Sequence, residues 1–257
     1  MKIFLSTLII IFWTHIGQLK NDKVSSKVTF NTNGFEMISI KGGTFVMGGT
    51  DLVNDGGPIE LNPLTGDECP HTITVKDFSI GKYEVTQAQW KEIMGDNPSY
   101  YKTNDNNPVE NVSWVDVQVF IDKLNAKYSE CFRLPSEQEW EFAARGGLQS
   151  KNFKYAGSNN ANEVAWWEGN SKGKPHPVGT LKANELGIYD MSGNIWEWCA
   201  DWKIPYPCNP LGKDFNNISR VLRGGTFASD SNSVRVRDRN GRNINLRLNT
   251  LGFRLAK

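Results

Sequence analysis

Nine tryptophans are scattered through a chain that also carries 24 glycines, and together they limit the fold more than any other feature of its 257 residues. Bulky rings need a core to bury them, whereas glycine weakens helices and strands and marks turns. The combination describes a loop-rich domain held by aromatic packing, and it excludes a bundle of long amphipathic helices. Charge narrows the function. Lys plus Arg number 29 against 28 Asp plus Glu, a net of +1, so no overall field draws the chain to nucleic acid or to an anionic membrane surface.

The N-terminus reads as an address. After Met1-Lys2, the run Ile3 to Trp13 is apolar except for Ser6 and Thr7. It falls short of the roughly 20 residues that span a bilayer, so it fits a secretory signal over 1–19 and no transmembrane domain is expected. Export, whether to a periplasm, a cell surface or the medium, changes how the cysteines read. Cys69, Cys131, Cys199 and Cys208 allow three pairings in an oxidising compartment, and sequence alone does not choose among them. His71 and His176 are the only histidines beyond the signal, too few for a Cys/His zinc site, although two histidines and a carboxylate would still make a facial triad.

Residues 20–35 are polar and read as a linker, with one α+β domain over 36–257. Alternation predicts strands at Met37–Ile40, after Gly42-Gly43, at Thr72–Val75 and from Phe78 toward Val85. Asp51 to Cys69 is loop-like. Capping chemistry marks three helices, opened by Thr86 with Gln89, Ser113 with Asp116, and Ser136 with Glu139. In the second, Val117, Phe120, Ile121 and Leu124 follow the helical period. Gly95 stops the first helix, and Gly146-Gly147 stop the third. Beyond residue 150 no helix is expected, and strand character returns only at Val221–Arg223 and Gly252–Leu255.

Asp190 to Glu197 is the segment with metal chemistry. Two carboxylates flank a turn at Gly193, where a carbonyl can swing inward, and calcium takes six to eight such hard oxygens. The alternative is a solvated Asp190, a Glu197 serving as partner to an arginine, and Trp196 and Trp198 packed in the core.

Seven segments, in order over about 36–256, resemble the formylglycine-generating enzyme family, also called sulfatase-modifying factors. They are Gly42–Gly48, Lys82–Thr86, Pro108–Trp114, Arg133–Glu141, Gly187–Trp198, Arg223–Gly225 and Leu251–Arg254. The resemblance implies an elaborated C-type lectin-like fold with a few short helices, a small antiparallel sheet and bound calcium. By the family motif, the calcium ligands would be the side chains of Asp190 and Glu197 and the main-chain oxygens of Gly193 and Ile195. A second family site resembles the surroundings of Asn162.

The family's enzymes hold copper on two cysteines after the Arg-Gly-Gly motif and oxidise a substrate cysteine. The matching positions here are Ser229 and Val234, and no cysteine lies beyond Cys208. Soft copper needs thiolates, so copper and cysteine oxidation are not expected. Instead, eight arginines lie between Arg220 and Arg254, against only Asp230 and Asp238. Arg223, Arg235, Arg239 and Arg254 read as structural, paired with buried carboxylates or stacked on tryptophans. Arg237, Arg242 and Arg247 read as exposed, and with Ser229, Ser233 and Asp238 they form the expected surface for an anionic glycan, peptide or protein ligand.

The same stretch resembles the variable lectin-like proteins of diversity-generating retroelements, in which Ala228, Ser229, Ser231, Ser233, Arg237, Asp238, Gly241, Arg242, Ile244, Leu246, Leu248 and Thr250 would vary. The expectation is thus an exported, calcium-stabilised binding module. The alternatives are such a variable protein, or a metal-dependent oxidoreductase of the same superfamily.

Overall fold

In a computed structural model the chain is described over residues 28–30, 34–49, 68–207 and 218–257. The expected signal, most of the 51–69 loop and Cys208 lie outside the described residues. The expected 20–35 linker contains a strand, β1 (Val28–Phe30), which pairs antiparallel with β2 (Glu36–Ile40). On its other edge β2 pairs with β5 (Phe78–Gly81), with Ile38 opposite Ile80. Between them in sequence, β3 (Gly43–Met47) and β4 (His71–Val75) form a separate antiparallel pair.

All three helices begin where side-chain oxygens cap them. In α1 (Gln87–Met94), α2 (Trp114–Tyr128) and α3 (Glu137–Ala144), Thr86, Ser113 and Ser136 each accept from the N–H three residues on. The Gln89, Asp116 and Glu139 side chains return the bond to the cap N–H, which satisfies two orphan donors per helix. Gly95 ends α1 at φ 88°, where a Cβ would be strained. A fourth, single-turn helix, α4 (Ala161–Val164), was not expected; Asn160 caps it.

The C-terminal half builds a four-stranded sheet in the order β8-β7-β6-β9. Its strands are β6 (Trp196–Trp202), β7 (Ser219–Arg223), β8 (Arg239–Asn243) and β9 (Leu251–Gly252), antiparallel except for β6 against β9. The strand expected over 252–255 is only two residues long. Beyond it, the carbonyls of Phe253, Leu255 and Ala256 accept from Val85, Gly81 and Arg133, so the C-terminus ties separate elements together instead of extending one ladder.

Tryptophan organises both large cores. Trp90 of α1 lies flat on Phe120 of α2, centroids 5.1 Å apart, and Phe253 meets both rings edge-on. Trp198, Leu222 and Leu251 close this core from the sheet. The second gathers Trp140 and Phe142 of α3 with Ile38, Ile80, Val221 and Met191. The two cores flank the start of β6, where the candidate site lies.

Candidate functional site

The 190–197 turn is tightly constrained. Asp190, Gly193 and Asn194 all have positive φ, and a Cβ on Gly193 would come within 2.2 Å of the Trp166 carbonyl oxygen. That oxygen accepts the Asn194 N–H at 2.8 Å. The Asn194 side chain donates to Glu84 Oε2 at 2.6 Å, and the Ile195 N–H donates to Glu84 Oε1 at 3.3 Å. Glu84 is only 1% exposed. Sequence reasoning did not single it out, although a carboxylate inside the run Lys82–Val85 was the available signal.

Glu197 opens β6 fully buried. Its Oε1 accepts from Arg254 Nη2 at 2.6 Å, and its Oε2 accepts from Arg254 Nε and from Trp140 Nε1, each at 2.7 Å. Arg254 also donates to the carbonyls of Gly81 and Tyr189, both at 3.0 Å. Burial works against the Arg254 charge, but the Glu197 carboxylate outweighs it and holds the guanidinium pKa above its ordinary value. Asp190 is buried, not solvated. Burial pushes its pKa up to about 6, although its Oδ2 accepts the Gly179 N–H at 2.7 Å. Burial first, then the charges of Asp190 and Glu197, push Glu84 well above the carboxylate range.

These residues do not fit the calcium that the family resemblance implies. Calcium requires oxygens that can turn toward it, and both Glu197 oxygens are held by Arg254 and Trp140. A guanidinium already sits in the field of Glu84, Asp190 and Glu197, where it would repel a divalent cation. At the second implied site, Asn162 Oδ1 accepts from Trp167 Nε1. Of the two readings of 190–197, the arginine partner matches the geometry of Glu197.

A second buried ionic network joins α3 to the sheet. Arg223 donates to Glu137 Oε1 at 2.9 Å and to Glu141 Oε2 at 2.6 Å, while Arg239 clasps both Glu137 oxygens at 2.7 Å. Arg235 and Arg237 approach the two oxygens of Glu68, each at 3.2 Å.

The expected ligand surface is not one patch. Arg237 is only 9% exposed and pairs with Glu68, which corrects its reading as a surface residue. Its neighbour Asp238 is largely buried, and burial raises its pKa to about 7. Arg247 is exposed but grips Asp116 with two bonds of 2.7 Å, bracing the cap of α2. Arg242 lies exposed on β8, close to Asn240. The N–H of Ser233 donates to Asp230, and Ser229 Oγ accepts the Thr226 N–H at 3.0 Å.

Val234 is fully buried against Tyr155, Val164 and Ala165. The close approach of this segment requires glycine at 225, since a Cβ there would come within 2.2 Å of the Ser233 carbonyl oxygen. Of the thiols, Cys69 is disulfide-bonded, Cys131 is free and exposed, and Cys199 is free and buried, with its pKa raised well above normal by burial. The histidines serve different places. His71 packs edge-on to Tyr206, and His176 stacks on Trp166 at 3.7 Å.

A family model described as sulfatase-modifying factor enzyme 1-like domain matches residues 23–257. The chain is 37% identical over 253 residues to the chaperone protein LppX of Paenibacillus barcinonensis, covering 79% of this chain and 87% of that protein. It is 33% identical over 172 residues to the formylglycine-generating enzyme of Streptomyces coelicolor, covering 59% of this chain and 52% of the enzyme. Among solved structures, Treponema denticola variable protein 1 superimposes with a TM-score of 0.72 at 30% identity, covering 86% of this chain and 94% of that one.

Proposed function

Because the chain belongs to the sulfatase-modifying factor family and has its elaborated C-type lectin-like α+β fold, we propose that it is an exported module that binds a ligand or partner and oxidises no cysteine. Ser229 and Val234 carry this reading. At the positions that the sequence resemblance assigns to the family's redox cysteines stand a serine hydroxyl engaged by a backbone N–H and a valine sealed in a core. Neither can supply a thiolate for copper or for disulfide relay. Cys199 cannot replace them, since burial keeps its thiol protonated.

Two observations support export. The apolar run from Ile3 to Trp13 follows a basic start, and Cys69 is disulfide-bonded, a state that persists in oxidising compartments. The 37% identical relative is named a chaperone protein, a name that speaks of action on another polypeptide and agrees with a binding role. Arg242, exposed on β8, presents a guanidinium that suits an acidic ligand. Screening the mature protein against arrays of acidic glycans and peptides tests the proposal. Saturable binding that weakens with salt is expected. Stoichiometric copper or iron in the purified protein, with oxygen consumed in the presence of thiol peptides, would overturn it in favour of an oxidoreductase.

A further inference from the structure

Four cationic side chains, Arg145, Lys154, Arg235 and Arg237, line one open pocket of about 380 Å³, and among the described residues no carboxylate lines it. The volume lies at the small end of the roughly 300–1,000 Å³ typical of ligand pockets. Of the four, only Arg237 belonged to the ligand surface expected from sequence. Arg145 comes from the end of α3, Lys154 from the loop before α4, and the other two from the segment leading into β8.

The cations are held in place. Arg145 donates to the Gly48 carbonyl at 2.6 Å and to Glu141 Oε1 at 2.8 Å. Glu68 braces Arg235 and Arg237. The Val236 N–H donates to the Lys154 carbonyl at 3.1 Å, which ties the lysine's loop to the arginine segment. Gly49 keeps the wall low, because a Cβ there would lie 3.2 Å from Arg237 Nη1. Fixed donors reduce the ordering cost of binding, and guanidinium forks match the oxygens of a carboxylate, sulfate or phosphate. The remaining wall is mixed. Phe153 offers a half-buried ring, and Asn152 and Asn159 bring amides able to pair with hydroxyls.

We infer that this pocket binds a small sugar acid, a carboxylate, sulfate or phosphate carried on a hydroxylated ring. The ring would lie along Phe153 and its charged group would face the four cations. Nucleic acid does not suit it, since one small pocket on a chain of net charge +1 gives no basic stripe for a polyanion to follow. The inference deepens the binding-module reading and rests on it.

Lys154 is the residue to change. It is exposed, reaches Asn232 at 3.4 Å and lies over the Tyr155 ring at 5.4 Å from its centroid, and it takes no part in the buried ionic networks. Glucuronate, glucose 6-sulfate, glucose 6-phosphate and uncharged glucose are titrated into the full mature chain by calorimetry, up to about 10 mM, a range that detects millimolar Kd. At least one charged sugar is expected to bind while glucose does not, and the arms tell which acid group is preferred. Lys154→Glu should weaken binding about tenfold or more, equivalent to about 1.4 kcal/mol. Lys123→Glu, the same charge change on exposed α2, should not.

Equal weakening by both variants, or binding untouched by Lys154→Glu, overturns the pocket. Absence of binding by any of the charged sugars overturns the pocket too. A positive result on the glycan or peptide arrays would in that case leave the binding-module reading standing.

Discussion

Replacing Glu197 by Gln removes one charge from a fully buried ion pair. Glu197 and Arg254 are both fully buried and joined by two bonds of 2.6 and 2.7 Å, with Trp140 donating to the same carboxylate at 2.7 Å. Breaking a buried pair from one side costs about 3–5 kcal/mol, because the remaining charge is left without compensation. Here Asp190 still lies within reach of the Arg254 charge, which places the expected loss near the lower end, about 3 kcal/mol.

Urea unfolding at neutral pH measures this loss. With slopes of about 1–3 kcal/mol/M, the midpoint should fall by about 1 M or more. Calcium at millimolar concentration should shift neither the wild type nor the variant. A calcium ligand set would instead add about 2.7 kcal/mol at a concentration 100 times its Kd. Stabilisation of the wild type by calcium, lost in Glu197→Gln, would refute the reasoning, and so would a variant as stable as the wild type.

Two further tests read other parts of the structure. Burial raises Glu110 from 4.5 to about 7, so the native state holds its proton while the unfolded chain releases it. That contribution is complete below about pH 4.5 and is lost as pH rises through 7. Glu110→Gln should therefore gain on the wild type between pH 5 and 8 by several degrees in Tm, and a gap that does not change with pH would contradict it. Iodoacetamide with peptide mapping should label Cys131 in the native protein, Cys199 only in denaturant and Cys69 only after reduction, whereas native labelling of Cys199 would contradict its burial.

The helices were legible because their signals are local. Thr86, Ser113 and Ser136 each stand three residues before the side chain that closes the capping box, and α1, α2 and α3 begin there. Strands β6 and β8 were not legible. In β6, Glu197, Trp198 and Cys199 are consecutively buried, so no alternation marks the strand, and β8 is the polar run Arg239–Asn243, made a strand by its register with β7. Arg237 failed for a related reason. Its neighbours are polar, but Glu68, far away in sequence, comes to meet it, and that encounter is tertiary. Glu197 was recognised as important from its motif, while the identity of its cation depended on where the C-terminal segment returns and delivers Arg254.

Ser229 and Val234 are the point on which the functional account turns, and one measurement addresses them. The purified protein, reconstituted with copper under air and a thiol reductant, is incubated with a cysteine peptide of the kind found in sulfatases, and the products are read by mass spectrometry with aldehyde-specific capture. The account predicts that the peptide keeps its cysteine, with no aldehyde above a protein-free control. Catalytic appearance of the aldehyde in proportion to protein concentration would contradict it.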